Sequence, residues 1–253
     1  MDHEIRHRPS FALVDVNLER GESITAEAGA MVAHTDGIEI DTGTGKEGFL
    51  KKLKRSTFGG EKLFRNTFSA PDTDGTVTFA PPLPGDVVQH QLRDQTVFVS
   101  SGGYLAGDDA LDVDTKWGGG KSFLGGEGFF LLKISGSGPL FTTSYGAVEP
   151  VDLSSGQRHT VDTGHVVAFE QSVSWSVRRV GGLKSTLFSG EGLVCDFEGP
   201  GTVWLQSRSQ DAFVSWLVPK LPVREGSGGN VQFDLGSAGN LGGFGGRGGK
   251  GGR

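Results

Sequence analysis

The sequence predicts an all-β protein made of three tandem β-sandwich-like repeats in a pseudo-threefold arrangement. Three observations predict it: a motif that recurs at a near-constant interval, a glycine content far above ordinary use, and short apolar runs broken at strand-like spacing. The recurring segments are Gly59-Gly60-Glu61-Lys62-Leu63-Phe64, Gly125-Gly126-Glu127-Gly128-Phe129-Phe130 and Ser189-Gly190-Glu191-Gly192-Leu193-Val194. Their glutamates are separated by 66 residues (61 to 127) and 64 residues (127 to 191). A fixed interval of this kind marks a repeated structural unit. With 43 glycines in 253 residues, turns, bulges and close backbone approaches are favoured over long helices, because glycine costs more order than any other residue.

An N-terminal strand is predicted over residues 11–18, before the first repeat. Upstream of each Gly-Glu lies a second shared element, AGAMVA from Ala28, GGYLA from Gly102 and GHVVA from Gly164. Downstream comes an apolar strand, a glycine-rich break and a further strand over 75–80, 138–142 and 201–206, which reads as a hairpin. The unit is thus strand, turn, strand, basic connection, hairpin, with repeats over about 18–88, 89–155 and 156–218. One unit of about 65 residues buries too little apolar surface alone, so the three are expected to share sheets in a single domain over 1–224. Residues 225–253 are too rich in glycine and too poor in apolar side chains to repay the entropy of ordering, and read as a flexible tail.

The formal charge of −6 and pI near 5.5 exclude a global attraction to nucleic acid or anionic membrane; such binding needs a local basic patch. The one cysteine, Cys195, lies in the apolar run Leu193-Val194-Cys195-Asp196-Phe197. It rules out an intrachain disulfide and reads as a small core residue. Residues 1–10 are charged and lack the apolar centre of a signal peptide, and no run approaches about 18 apolar residues. A cytoplasmic protein without a transmembrane segment is expected.

Several motifs invite chemistry. His3-Glu4-Ile5-Arg6-His7 spells the zinc-protease pattern, but that pattern works only on a helix, and Pro9 follows at once. Extended, the two histidine α-carbons stand ~13 Å apart, too far for shared ligation. Thr115 to Ser122 nearly spells a phosphate loop, with Thr115 in place of its first glycine, yet such a loop must open a helix and here precedes a strand. Ser135 resembles a nucleophile elbow but falls in a predicted hairpin turn. His90, His159 and His165 lie in strand-like segments without metal-ligand spacing. Glu61, Glu127 and Glu191 are repeat-equivalent acids, expected to pair with a nearby cation or with backbone amides. No catalytic, cofactor or metal residue is predicted.

The basic connections recur too: Lys51, Lys52, Lys54 and Arg55, then Lys116 and Lys121, then Arg178, Arg179 and Lys184. Ordinary solvated loops account for them; alternatively, emerging from equivalent strand ends, they would gather as an anion-binding rim on one side of the domain.

The segments Ala26-Glu27-Ala28-Gly29-Ala30-Met31, Ser189-Gly190-Glu191-Gly192-Leu193 and Gly199-Pro200-Gly201-Thr202-Val203-Trp204-Leu205-Gln206-Ser207 resemble a bacterial and archaeal family related to the altered-inheritance-of-mitochondria proteins. The resemblance covers about 1–218. It implies a fold similar to the tryptophan RNA-binding attenuation protein, three units in one chain and a homo-oligomer. It implies no catalytic residues, and the glycine tail departs from it. The leading expectation is a non-catalytic, self-assembling scaffold that engages a protein or an anionic membrane surface, with no cofactor. A small-ligand or metal-binding enzyme with a pocket between repeats is the alternative; RNA binding rests on fold analogy alone and runs against the acidic charge.

Overall fold

The structure is a computed structural model that describes residues 1–42, 65–114, 131–180 and 193–221, together with the backbone of 57–58 and 61–62. Strand-period alternation sets its elements. In β2 (Leu13–Leu18), Val14, Val16 and Leu18 point inward while Asp15 and Asn17 face outward, the pattern a half-buried strand requires. The first stretch of chain holds β1 (Asp2–Arg6), β2, β3 (Ser23–Glu27), β4 (Met31–His34), β5 (Glu39–Asp41), β6 (Thr57–Phe58), β7 (Glu61–Lys62), β8 (Arg65–Ser69) and β9 (Gly75–Phe79). One sheet runs β1-β2-β9-β4, β3 and β5 flank β8, and β6 pairs with β7.

The second stretch begins with β10 (Val87–Ser100), followed by β11 (Tyr104–Asp108), β12 (Asp112–Asp114) and β13 (Leu131–Thr143). β10 and β13 pair along their lengths; β11 adds to the C-terminal half of β13 and β12 to its N-terminal half. The third stretch holds β14 (Val148–Leu153), β15 (Arg158–Asp162), β16 (Val166–Glu170), β17 (Ser174–Arg179), β18 (Leu193–Glu198) and β19 (Gly201–Gln206). There β14 and β16 flank β19, while β15 and β17 flank β18. All these pairs are antiparallel.

Two junctions tie the stretches together. β11 pairs with β3, placing Ala106 opposite Ala26, and β16 pairs with β10, placing Ala168 opposite Val99. A continuous sheet results, in the order β14-β19-β16-β10-β13-β11-β3-β8-β5.

The predicted hairpins are not present. β8 and β9 lie in different sheets, β18 and β19 likewise, and β13 passes through Gly136 and Gly138 without turning. The glycines mark bends where a strand leaves one sheet for another, a device that orthogonal corners of β structures use. Gly138, at φ +142°, allows the bend in β13. Ser135 is accordingly a residue inside β13, opposite Thr96 and Asp112, and not at a turn.

Three apolar clusters fill the spaces between sheets. The first gathers Val14, Val16, Phe68, Phe79 and Phe141; the second Leu92, Val97, Tyr104, Ile134 and Leu140; the third Phe98, Phe169, Cys195, Phe197 and Val203. Each draws side chains from both sides of a junction or of a facing sheet pair, so no stretch completes its own core. Tyr104 is fully buried and donates its hydroxyl to the Thr25 carbonyl at 2.8 Å; burial pushes its pKa up to about 12.

The chain divides into two units, Met1–Ser215, which contains every described strand, and Trp216–Arg253. The one α-helix among the described residues, α1 (Gln210–Leu217), spans the division. The predicted tail, 225–253, lies outside the described residues.

Candidate functional site

The sheet β15-β18-β17 offers an open concavity of about 470 Å³, lined by residues that include Arg158, Thr160, Trp175, Asp196 and Glu198. Alternation puts Val161, Cys195 and Val177 toward the core and Arg158, Thr160, Asp196 and Glu198 along the outer surface. Arg158 Nε bonds Glu198 Oε2 at 2.8 Å, and Thr160 Oγ1 donates to Asp196 Oδ1 at 2.6 Å. Arg178 forks onto Asp196, with Nη2 at 3.1 Å from Oδ1. The Arg178 hydrogen bond, helped by Thr160, holds the Asp196 carboxyl below the usual range. Each charge here has an opposite partner, so the surface is polar without net sign. The pairing of β15 with β18 brings these residues together from distant positions, which is why sequence reading singled out only Arg178 and His159, the latter on β15 and also lining the concavity.

Among the described residues β1, β4, β5, β14, β15 and β17 each end a sheet, and two of these edges matter here: β4 pairs only with β9, and β15 only with β18. Met31 and Val32 on β4 are exposed large apolar side chains, an arrangement that invites another strand.

The remaining candidates are dispersed. His3 to Arg6 form extended β1, with His3 edge-on to Phe141 at 5.1 Å and His7 beyond the strand at φ +59°; the zinc-protease spelling has no helix. His90 is buried, bonded through Nε2 to Thr142 Oγ1 at 2.8 Å and edge-on to Trp204 at 4.5 Å. Burial depresses its pKa to about 4. His165 ends a single 3-10 turn and bonds the Gln206 carbonyl at 2.7 Å through Nδ1. Cys195 is buried in β18, and desolvation pushes its thiol up to about 12, so it is not a nucleophile at neutral pH. Glu61 lies on β7, while Glu127 and Glu191 fall outside the described residues. Of the proposed rim, Arg178 and Arg179 end β17; Lys51, Lys52, Lys54, Arg55, Lys116, Lys121 and Lys184 lie outside the described residues, as does the near-phosphate loop.

Residues 3–208 match the family described as Mitochondrial biogenesis AIM24. The chain belongs to the AIM24 family. An uncharacterised protein of Streptococcus pyogenes serotype M6 is 30% identical over 219 residues, covering 84% of this AIM24 chain and 88% of the relative. A Streptococcus pyogenes protein solved by X-ray crystallography superposes with a TM-score of 0.73 at 28% identity, over 87% of this chain and 99% of that one. The AIM24 match runs through β19 and stops before α1, so the concavity and the β4 and β15 edges belong to the family region. Among the described residues, no cluster of three or more His, Cys, Asp or Glu side chains is disposed to hold a metal ion.

Proposed function

We propose that this AIM24 chain is a non-catalytic scaffold that assembles with itself and presents its sheets to a protein or an anionic membrane surface, and that it is built from three copies of one six-strand unit. The pairing scheme carries the reading. In residues 13–79, setting aside the two-residue strands β6 and β7 that pair only with each other, the first strand, β2, and the third, β4, flank the sixth, β9, while the second and fourth, β3 and β5, flank the fifth, β8. β14 to β19 repeat that order strand for strand. β10 and β13 each serve as two fused strands and, with β11 and β12, repeat it again. A register shift falls at matching places on the third strand, between Met31 and Ala33, Tyr104 and Ala106, and Val166 and Ala168.

Each junction extends a sheet by one strand pair, and sheet extension is a chemistry of assembly. The polar groups of the concavity satisfy one another, as those of a structural surface do. In this reading a common rotation relates the units, and a pseudo-threefold ring is its closed form. Size-exclusion chromatography with light scattering tests the self-assembly. A mass that is a multiple of 26.7 kDa is expected, and a strict monomer at high micromolar concentration overturns it.

A further inference from the structure

We infer that β4 of one copy adds antiparallel to β15 of a second copy, with Ala33 opposite Val161 and His34 opposite Thr160. The inference rests on the scaffold reading and names the two surfaces by which the scaffold grows.

The register comes from the junctions already made within the chain. β11 lies on β3 with Ala106 opposite Ala26 and Gly107 opposite Thr25. β16 lies on β10 with Ala168 opposite Val99 and Phe169 opposite Phe98. β4 is the counterpart of β11 and β16, because Met31, Tyr104 and Val166 all precede the same register shift, against Phe79, Thr142 and Leu205. β15 is the counterpart of β3 and of the second half of β10. Ala26, Val99 and Val161 face Asn66, Leu132 and Cys195 on the adjoining strand, and each stands five residues before Met31, Tyr104 or Val166. Two of the three pairs of such edges are thus used inside the chain, and β4 with β15 is the pair left over.

Burial agrees. Met31 and Val32 are 38% and 55% exposed, whereas Tyr104 and Leu105 are 1% and 0% exposed and Val166 and Val167 both 1%. The same positions are covered where the junction is made and bare where it is not. β4 reads Met-Val-Ala-His and lacks the lysine or proline that commonly blunts an edge strand. Continuing the register sets Asp36 opposite Arg158, an attractive pair; at the corresponding place in the second junction Gln171 N donates to Thr96 O at 3.3 Å. Because the two edges differ, copies join head to tail, which yields a ring where the rotation closes and a filament where it does not.

The test uses the full chain with His34→Cys and Thr160→Cys made separately and then combined; both positions are exposed, and the native Cys195 is buried. Directly opposed strand residues hold their β-carbons about 5 Å apart, within reach of a disulfide after small adjustment. Mixing the two single variants under mild oxidation is expected to give a covalent dimer on non-reducing gels, absent from either variant alone. Val32→Lys is expected to abolish the assembled species in light scattering and to leave the circular dichroism of the subunit unchanged. No mixed dimer from folded variants, while the wild type still assembles, overturns the β4–β15 pairing and leaves the scaffold reading standing. A double variant that forms only an intramolecular link assigns β15 of the same chain as the occupant and overturns the inference as well. A wild type that stays monomeric overturns both.

Discussion

His90 shows what one side chain contributes when the fold refuses it a charge. Its ring is buried, packed against Trp204 and bonded to Thr142, and a charge there is penalised by desolvation. The unfolded chain takes that proton at the ordinary pKa of 6.5, the folded chain only near about 4. Stability is therefore full above pH 6.5 and is lost as the pH falls toward 4, since the unfolded state binds the extra proton. The gap corresponds to ~3 kcal/mol in all, of which about 2 kcal/mol is lost between pH 7 and pH 5. Asp15, Glu22 and Asp196, whose pKa values are lowered below 3.8, 4.5 and 3.8 respectively, lose their contributions at lower pH and do not confuse that window. Urea unfolding at the two pH values should show the loss in the wild type and a flat response in His90→Gln, whatever that substitution costs at pH 7. An equal slope in both proteins would place the titration elsewhere.

At the level of elements, β13 carries the difference between what the chain spells and what it builds. Gly136 and Gly138 between two apolar runs look the same locally whether the chain reverses or bends, and only the partner strands, set at long range, decide. The alternation in β2, the shared segments that became β4, β11 and β16, and the bounds of β19 were all legible, because strand period and apolar content are local properties. The junction of β11 with β3 and the concavity on β15-β18-β17 were not, because they join residues with no common local signal. Gly138 supplies a test of the through-going strand. It has a positive φ, and an added β-carbon would stand 2.7 Å from the Asp108 β-carbon on neighbouring β11. Gly138→Ala should therefore cost about 2 kcal/mol from backbone strain and overpacking together, read as a lower denaturant midpoint with unchanged m-value. A neutral outcome would indicate that β13 relaxes at this bend.

Over the whole molecule, a charge of −6 repels polyanions unless cations are concentrated somewhere. The repeat interval made that search possible from sequence, since the basic connections precede each Gly-Glu; the structure adds that not all of them are available. Arg178 is neutralised by Asp196 across β17 and β18, so it brings no free charge to an anionic partner. Lys51, Lys52, Lys54 and Arg55 place four cations within five positions, the densest positive run in the set. If the scaffold meets an anionic membrane through its basic connections, this run must dominate. Vesicles containing phosphatidylserine should then co-sediment with the wild type at low salt and release it as salt rises, because screening shortens the reach of exposed charge to ~10 Å at 0.1 M. Replacing all four residues by Ser should abolish co-sedimentation, whereas Arg178→Ser should leave it within about twofold, the size expected of an ion pair already satisfied at the surface. Binding that survives the fourfold replacement, or falls as far with Arg178→Ser, would remove the basic connections from the membrane-facing surface.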